Sequence, residues 1–149
     1  MKAYVIYDSV YGNTEKVAQA IGEAIQGEVK VILAAEADRS GLGELDLLIV
    51  GTPIHGGRPT GPVKDFLNEI PDGDLEGVAV AAFDTRSDSR FARIFGHAAP
   101  KIADKLEKKG GTLRGTPEGF IVEDKEGPLR DGEMERAVEW ARGIAAGRG

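Results

Sequence analysis

The segment Ala3-Tyr4-Val5-Ile6-Tyr7-Asp8-Ser9-Val10-Tyr11-Gly12-Asn13-Thr14-Glu15-Lys16-Val17 changes character twice within a short span. Ala3–Tyr7 is a nearly unbroken apolar run rich in β-branched and aromatic side chains, which suits a strand buried on both faces. From Asn13 the period changes. Val17, Ile21, Ala24 and Ile25 recur on one face of a helix, and Gly27 stops it. Between the two lies Ser9–Thr14, with two hydroxyls, an amide side chain and a glycine at a helix N-terminus. Unpaired backbone N–H groups and the helix dipole favour an anion there. The Ser9, Asn13 and Thr14 side chains could donate to phosphate oxygens, and Gly12 lets backbone come close. No lysine or arginine lies within the loop. Neutral donors suit a phosphate monoester kept in place better than a phosphoryl group being transferred. An ordinary helix cap with turn residues is the alternative reading.

The same alternation continues outward. Glu28–Leu33 places Val29, Val31 and Leu33 on one face, as an edge strand would, and Leu45–Val50 is solidly apolar. Gly61-Pro62 opens a helix lined by Val63, Phe66, Leu67 and Ile70, with proline at a position where its missing N–H is harmless. Val78–Phe83 reads as another buried strand. A third helix carries Ala99, Ile102, Ala103 and Leu106 and stops at Gly110-Gly111. Phe120–Val122 reads as a fifth strand, interrupted upstream by Gly115-Thr116-Pro117. The last helix holds Met134, Ala137, Val138, Ala141 and Ile144. The weak stretch Asp38–Gly43 is expected to supply a short helix between strands two and three. Strands separated by helices imply parallel pairing through right-handed crossovers. The fold class is therefore α/β, a doubly wound five-stranded parallel sheet with helices on both faces. The whole chain, 1–149, reads as a single domain.

In such sheets ligands bind outside the carboxyl ends of the strands. Two further loops lie there. Gly51-Thr52-Pro53-Ile54-His55-Gly56-Gly57-Arg58-Pro59-Thr60-Gly61 has four glycines and two prolines, a loop of fixed shape and little bulk. A flat ring lying against backbone needs such a surface. After the fourth strand, Asp84–Gly96 is long, polar and arginine-bearing, with Phe91 and Phe95.

Composition bounds the function. Of 149 residues 41% are hydrophobic and 30% charged, and the net charge is −6. That balance argues against nucleic-acid binding, which favours a basic stripe. Cysteine is absent, which removes disulfides, thiolate metal sites and cysteine nucleophiles. With two histidines, no metal site is expected. The longest apolar run, Val78–Phe83, is far shorter than the roughly 20 residues of a membrane span. The N-terminal apolar run is ended too early by Asp8 for a signal peptide, so the expected location is the cytoplasm. Glycine supplies 21 residues, about twice the ~7% average, and many fall in or beside the three loops.

Ser9–Thr14 resembles the phosphate-loop motif of flavodoxins, a Ser/Thr-x-x-Gly-Asn-Thr pattern after strand one. Gly51–Gly57 resembles their second flavin-contacting loop, and Asp84–Gly96 lies where their third falls. Tyr7–Lys16 is also similar to the flavin domain of A-type flavoproteins. Phe83–Arg86 and Gly127–Gly132 resemble a group of stand-alone prokaryotic flavodoxin-like proteins. The short connection before the last helix is like that of short-chain members. The resemblance implies strand order 2-1-3-4-5, FMN as cofactor and electron transfer between redox partner proteins, by a monomer or weak homodimer.

Carried over residue by residue, it gives Ser9, Val10, Tyr11, Gly12, Asn13 and Thr14 to the FMN phosphate. Thr52, Pro53, Ile54, His55, Gly56 and Gly57 would touch the ring and its ribityl chain. Asp84, Thr85 and Arg86 would line the pyrimidine side, with Phe91, Phe95 and Gly96 in the third loop. Two departures stand out. Flavodoxins often stack the ring between Trp and Tyr, whereas here the three tyrosines precede residue 12 and Trp140 lies in the last helix, where core packing is expected. The candidate stacking groups are His55, Phe91 and Phe95. The third loop also carries Arg86, Arg90 and Arg93 where acidic groups are the family habit. An Arg86 directed at the ring would favour the negatively charged reduced flavin; a salt-bridged or solvated Arg86 would not.

Other readings lack their signatures. A phosphoacceptor receiver needs an aspartate ending strand three, which here ends Val50-Gly51-Thr52. No Gly-x-Gly-x-x-Gly, P-loop lysine or Gly-x-Ser-x-Gly elbow is present. An NAD(P)H-dependent quinone or flavin reductase of the same fold remains as the alternative to a non-catalytic FMN electron carrier, but such enzymes need room over the ring and usually a second subunit, and the chain lacks an obvious insertion for that. A non-redox interaction module that kept the fold and lost the cofactor is a third.

Overall fold

In the computed structural model, which describes residues 1–54, 57–87, 97–124 and 126–147, strand β1 (Lys2–Tyr7) leads into helix α1 (Asn13–Ala24). Strands β2 (Glu28–Leu33), β3 (Leu47–Pro53) and β4 (Ala79–Ser87) follow, with helix α2 (Gly61–Asn68) between the last two. Helix α3 (Ala98–Lys108), two short strands, β5 (Thr112–Leu113) and β6 (Glu118–Val122), and helix α4 (Glu133–Ala145) complete the order. The strands run in the order β2-β1-β3-β4, and both β5 and β6 pair with β4. Every one of these pairings is parallel. The expected fifth strand is thus present as two pieces of one line, with the interruption at Gly115-Thr116-Pro117 between them.

Each sheet face has its own apolar layer. Ile6, Leu48, Val50, Val80 and Ala82 pack under α2 and α3, together with Phe66, Ile102 and Leu106. Ala3, Val5, Leu47, Ile49, Ala81 and Phe83 pack under α1 and α4, together with Val17, Ile21, Ala137 and Ala141. Burial on both faces is why β1, β3 and β4 are continuous apolar runs, while β2, at the edge, alternates. Trp140, half-buried, packs against the core: Phe83, Phe120 and Trp140 meet edge-to-face at 6.0–6.1 Å between centroids, a geometry worth about 0.5–1.5 kcal/mol per pair beyond burial. Gly51 makes room for this cluster. A Cβ there would lie 2.0 Å from the Phe83 ring.

The short helix expected at Asp38–Gly43 is replaced by two single 3-10 turns, Ala34–Glu36 and Leu42–Glu44. Asp38 accepts hydrogen bonds from the Ser40 backbone N–H at 2.9 Å and its hydroxyl at 2.8 Å. A local turn of this kind competes with helix formation.

The outer side of β6 is occupied by its own chain. Glu133 Oε2 accepts the Ile121 N–H at 2.7 Å, and the Arg130 N–H donates to Ile121 O at 2.8 Å. Arg136 donates to Gly119 O, and the Glu123 N–H to Pro128 O at 2.8 Å. Arg136 also lies 4.7 Å from the Phe120 ring centroid. Among the described residues no helix is long and apolar enough to cross a membrane.

Strand order reverses between β1 and β3, and the carboxyl ends of β1, β3 and β4 are neighbours. The Asp8 N–H donates to Gly51 O at 3.3 Å, and Thr52 stands beside Asp84 in register. The three polar loops therefore leave the sheet side by side, at the place where open α/β sheets take ligands.

Candidate functional site

The first loop is folded by its own residues. Ser9 Oγ accepts the Gly12 N–H at 3.0 Å, and Gly12 adopts φ +92°, a left-handed conformation that favours glycine. The Gly12 carbonyl accepts the Lys16 N–H at 3.1 Å and so starts α1. Among the described residues no side chain caps this helix end, and none fills the space a Gly12 Cβ would enter. The first turn of α1 consequently offers backbone donors and the positive end of the helix dipole to an anion. Val10 and Tyr11 are exposed at the tip of the loop. At its base, the buried Tyr7 hydroxyl donates to Glu15 at 3.3 Å. Burial and then the Glu15 charge push that hydroxyl above the ordinary tyrosine range, so it stays protonated.

Two side chains of the motif have partners that sequence alone does not disclose. Asn13 donates through Nδ2 to Glu126 O at 3.1 Å, tying α1 to the connection between β6 and α4. One of its two Nδ2 protons is engaged there. Thr14, almost completely buried, meets Thr85 of β4 with 2.8 Å between the hydroxyl oxygens.

The second loop is held from inside. Thr52 is fully buried; its hydroxyl donates to Pro53 O at 2.8 Å and accepts the Thr60 N–H at 3.1 Å. Both roles of the hydroxyl are used in fixing the loop, so what this residue can offer a ligand is backbone. Lys101 of α3 donates to Gly57 O at 2.5 Å and anchors the far side. Pro53 and Ile54 are half-buried, and Gly57 is buried. His55 and Gly56 lie outside the described residues.

At the third loop the structure turns β4 from apolar to charged. Asp84 is fully buried and accepts Arg86 Nε at 2.7 Å, Arg86 Nη2 at 2.9 Å and the Ala99 backbone N–H at 2.8 Å. One carboxylate thereby neutralises Arg86 and caps the first turn of α3. Gly119 gives the guanidinium its seat, since a Cβ there would lie 2.0 Å from Arg86 Cζ. Arg86 Nη1 donates to His97 Nδ1 at 2.9 Å. Burial, followed by the Arg86 charge, holds the His97 imidazole below its ordinary value. Arg86 is therefore the ion-paired residue of the two readings, and its charge is spent on Asp84. Thr85, between these two in sequence, faces the opposite side of the sheet and meets Thr14. Phe91, Phe95 and Gly96, with Arg90 and Arg93, lie outside the described residues.

The site thus combines an uncapped helix N-terminus, a backbone-lined loop pinned at both ends and a third loop rooted on a buried ion pair. Sequence reasoning missed the Asp84 contact to α3 and the Thr14–Thr85 pair. A carboxylate and a hydroxyl directly following the apolar run Val78–Phe83 were the available signal. Chemically, the first loop can hold an anion, and the second can present backbone to a flat group.

The family model described as Flavodoxin matches residues 5–140. A flavodoxin of Clostridium saccharobutylicum is 29% identical over 155 aligned positions, covering 97% of this chain and 96% of that one. A flavodoxin of Maridesulfovibrio salexigens is 30% identical, covering 97% of each. Among solved structures, a flavodoxin from the domain Archaea superposes with a TM-score of 0.79 at 27% identity, over 98% of this chain and 97% of that one.

Proposed function

The chain belongs to the flavodoxin family and is an FMN-binding electron-transfer protein, and from that premise we propose how its residues hold the cofactor. The phosphate sits on the first turn of α1, received by the backbone N–H groups after Gly12 and by the Ser9 and Thr14 hydroxyls. Val10, Tyr11 and Asn13 contribute through the shape and N–H groups of the same loop. The observation that carries this reading is the N-terminus of α1, left among the described residues without a side-chain cap and with open space above a left-handed Gly12. The donor set is neutral and oriented, which fits a phosphate monoester, and the one carboxylate of the first turn, Glu15, accepts the Tyr7 hydroxyl.

The ring then lies against the backbone of Thr52–Gly57, including Pro53, Ile54, His55 and Gly56. Asp84, Thr85 and Arg86 set the course of the third loop, which brings Phe91, Phe95 and Gly96 to the ring. When bound, FMN supplies the redox chemistry, and this chain, with no cysteine, supplies the binding, the orientation and the exclusion of water. Flavodoxins transfer electrons to redox partner proteins. For this chain we propose a cytoplasmic carrier, monomeric or weakly dimeric, whose net charge of −6 favours partners with a basic docking patch.

The test is a titration of the apoprotein with FMN, followed by reduction with dithionite and, separately, with NAD(P)H in the presence of a quinone. Tight FMN binding with reduction by dithionite alone supports the carrier. Rapid NAD(P)H oxidation would replace it with the reductase, and failure to bind FMN would overturn both.

A further inference from the structure

Thr14 stands at the second position of α1 and Thr85 near the end of β4, 71 positions apart in sequence. Their hydroxyl oxygens are 2.8 Å apart, and the residues are 1% and 5% exposed. Two hydroxyls carry two O–H protons, and the hydrogen bond between them uses only one. The accepting hydroxyl keeps its own proton, for which no other acceptor exists among the described residues. A buried donor left this way is unfavourable, so the pair is poised to satisfy an acceptor brought to it. If Thr14 donates, the spare proton sits on Thr85, on the strand. If Thr85 donates, the spare proton sits on Thr14, in the first turn of the helix whose N-terminus attracts an anion.

We infer that Thr85 is a positioning residue: it donates to Thr14 and thereby presents the Thr14 hydroxyl as a donor to the cofactor phosphate. This rests on the proposed phosphate site and deepens it. An anion on α1 selects the orientation in which Thr85 donates, and the donated bond polarises the Thr14 hydroxyl and makes it a better donor. The strand that roots the third loop is thus coupled to phosphate recognition, and the chain distinguishes a phosphorylated flavin from the bare one through a residue that touches neither.

The test compares FMN with riboflavin, which lacks the phosphate, on the full-length apoprotein. Thr85→Val keeps the shape and removes the donor. It is expected to weaken FMN about fivefold, the scale of one hydrogen bond, and riboflavin by clearly less, so that the preference for FMN, read as the riboflavin dissociation constant over that of FMN, falls. Thr85→Ser is expected to restore the ratio. Thr85→Ala, with the folded state of each variant checked by circular dichroism, serves if valine disturbs the strand. Equal weakening of both flavins, or no change in either, overturns the proposal. Thr14→Val separates the two levels. If it lowers the ratio and the Thr85 variants do not, the role of Thr85 alone is wrong. If it too leaves the ratio unchanged, the phosphate site itself is misplaced and the inference falls with it.

Discussion

The Asp84 carboxylate meets the Arg86 guanidinium at two points, 2.7 Å to Nε and 2.9 Å to Nη2, with Asp84 wholly buried. Two residues apart on a strand, their side chains share a face, and the pair closes over Gly119. Because the carboxylate also receives the Ala99 N–H, it joins β4 to α3 across the root of the third loop.

Removing one partner of such a pair leaves the other buried and unpaired. Arg86→Ala is expected to lower stability by about 3 kcal/mol, within the range for broken buried ion pairs. Adding Asp84→Asn is expected to recover part of that loss, because the orphaned charge goes with it. Urea denaturation of both single variants, the double variant and the parent protein checks this. Additive losses would show that the pair is not coupled.

The same guanidinium dictates the state of His97. A guanidinium can only donate, so His97 Nδ1 must accept and the ring proton must reside on Nε2. Nitrogen NMR of the imidazole should report that tautomer, with a midpoint below the ordinary histidine value of about 6.5. Arg86→Gln should move the midpoint upward but not fully, since burial, the larger cause of the depression, remains. A downward shift would contradict the arrangement.

Gly51→Ala tests the aromatic cluster. The added methyl would collide with the Phe83 ring, which is itself locked edge-to-face between Phe120 and Trp140. Because the ring can move only by disturbing these contacts, the substitution should cost about 1–3 kcal/mol, measured by thermal unfolding. Altered Trp140 fluorescence should accompany it.

Glu133 sets a pH dependence whose sign is determined. Hydrogen bonds from Arg136, the largest cause, and from the Ile121 N–H hold its carboxyl below the ordinary glutamate range. A carboxyl depressed in the folded state stabilises fully above its unfolded value, about 4.3, and loses that contribution as the pH falls through the folded value. Glu133→Gln should therefore cost about 2 kcal/mol at pH 7, as for a charge-assisted hydrogen bond. The gap between the variant and the parent should close on acidification, as read from denaturation curves between pH 7 and pH 3.

The first strand, first loop and first helix are legible in the sequence because the switch from Ala3–Tyr7 to Val17, Ile21 and Ile25 is a change of period, which is local information. The partners of Asn13 and Thr14 are not, since Glu126 and Thr85 reach them only through the folded sheet. Thr112–Leu113 is too short to show any period and becomes a strand because β4 offers it a register. Met134 carries the helical spacing of a core residue, yet it stands 37% exposed, with Val138, over a groove against Ala20 and Ala24 of α1. Periodicity gives a direction around a helix; how far the covering layer extends depends on the neighbouring helix.

The bonds that Glu133, Arg136, Arg130 and Pro128 make along the outer side of β6 have a consequence beyond the stability of that strand. An open sheet ends in backbone groups able to recruit a strand from another molecule. Here the outward groups of Gly119, Ile121 and Glu123 are already engaged within the chain. The β6 stretch of this margin is therefore blunted as a template for strand-by-strand polymerisation, and the protection comes from the α4 residues and the connection that leads into it.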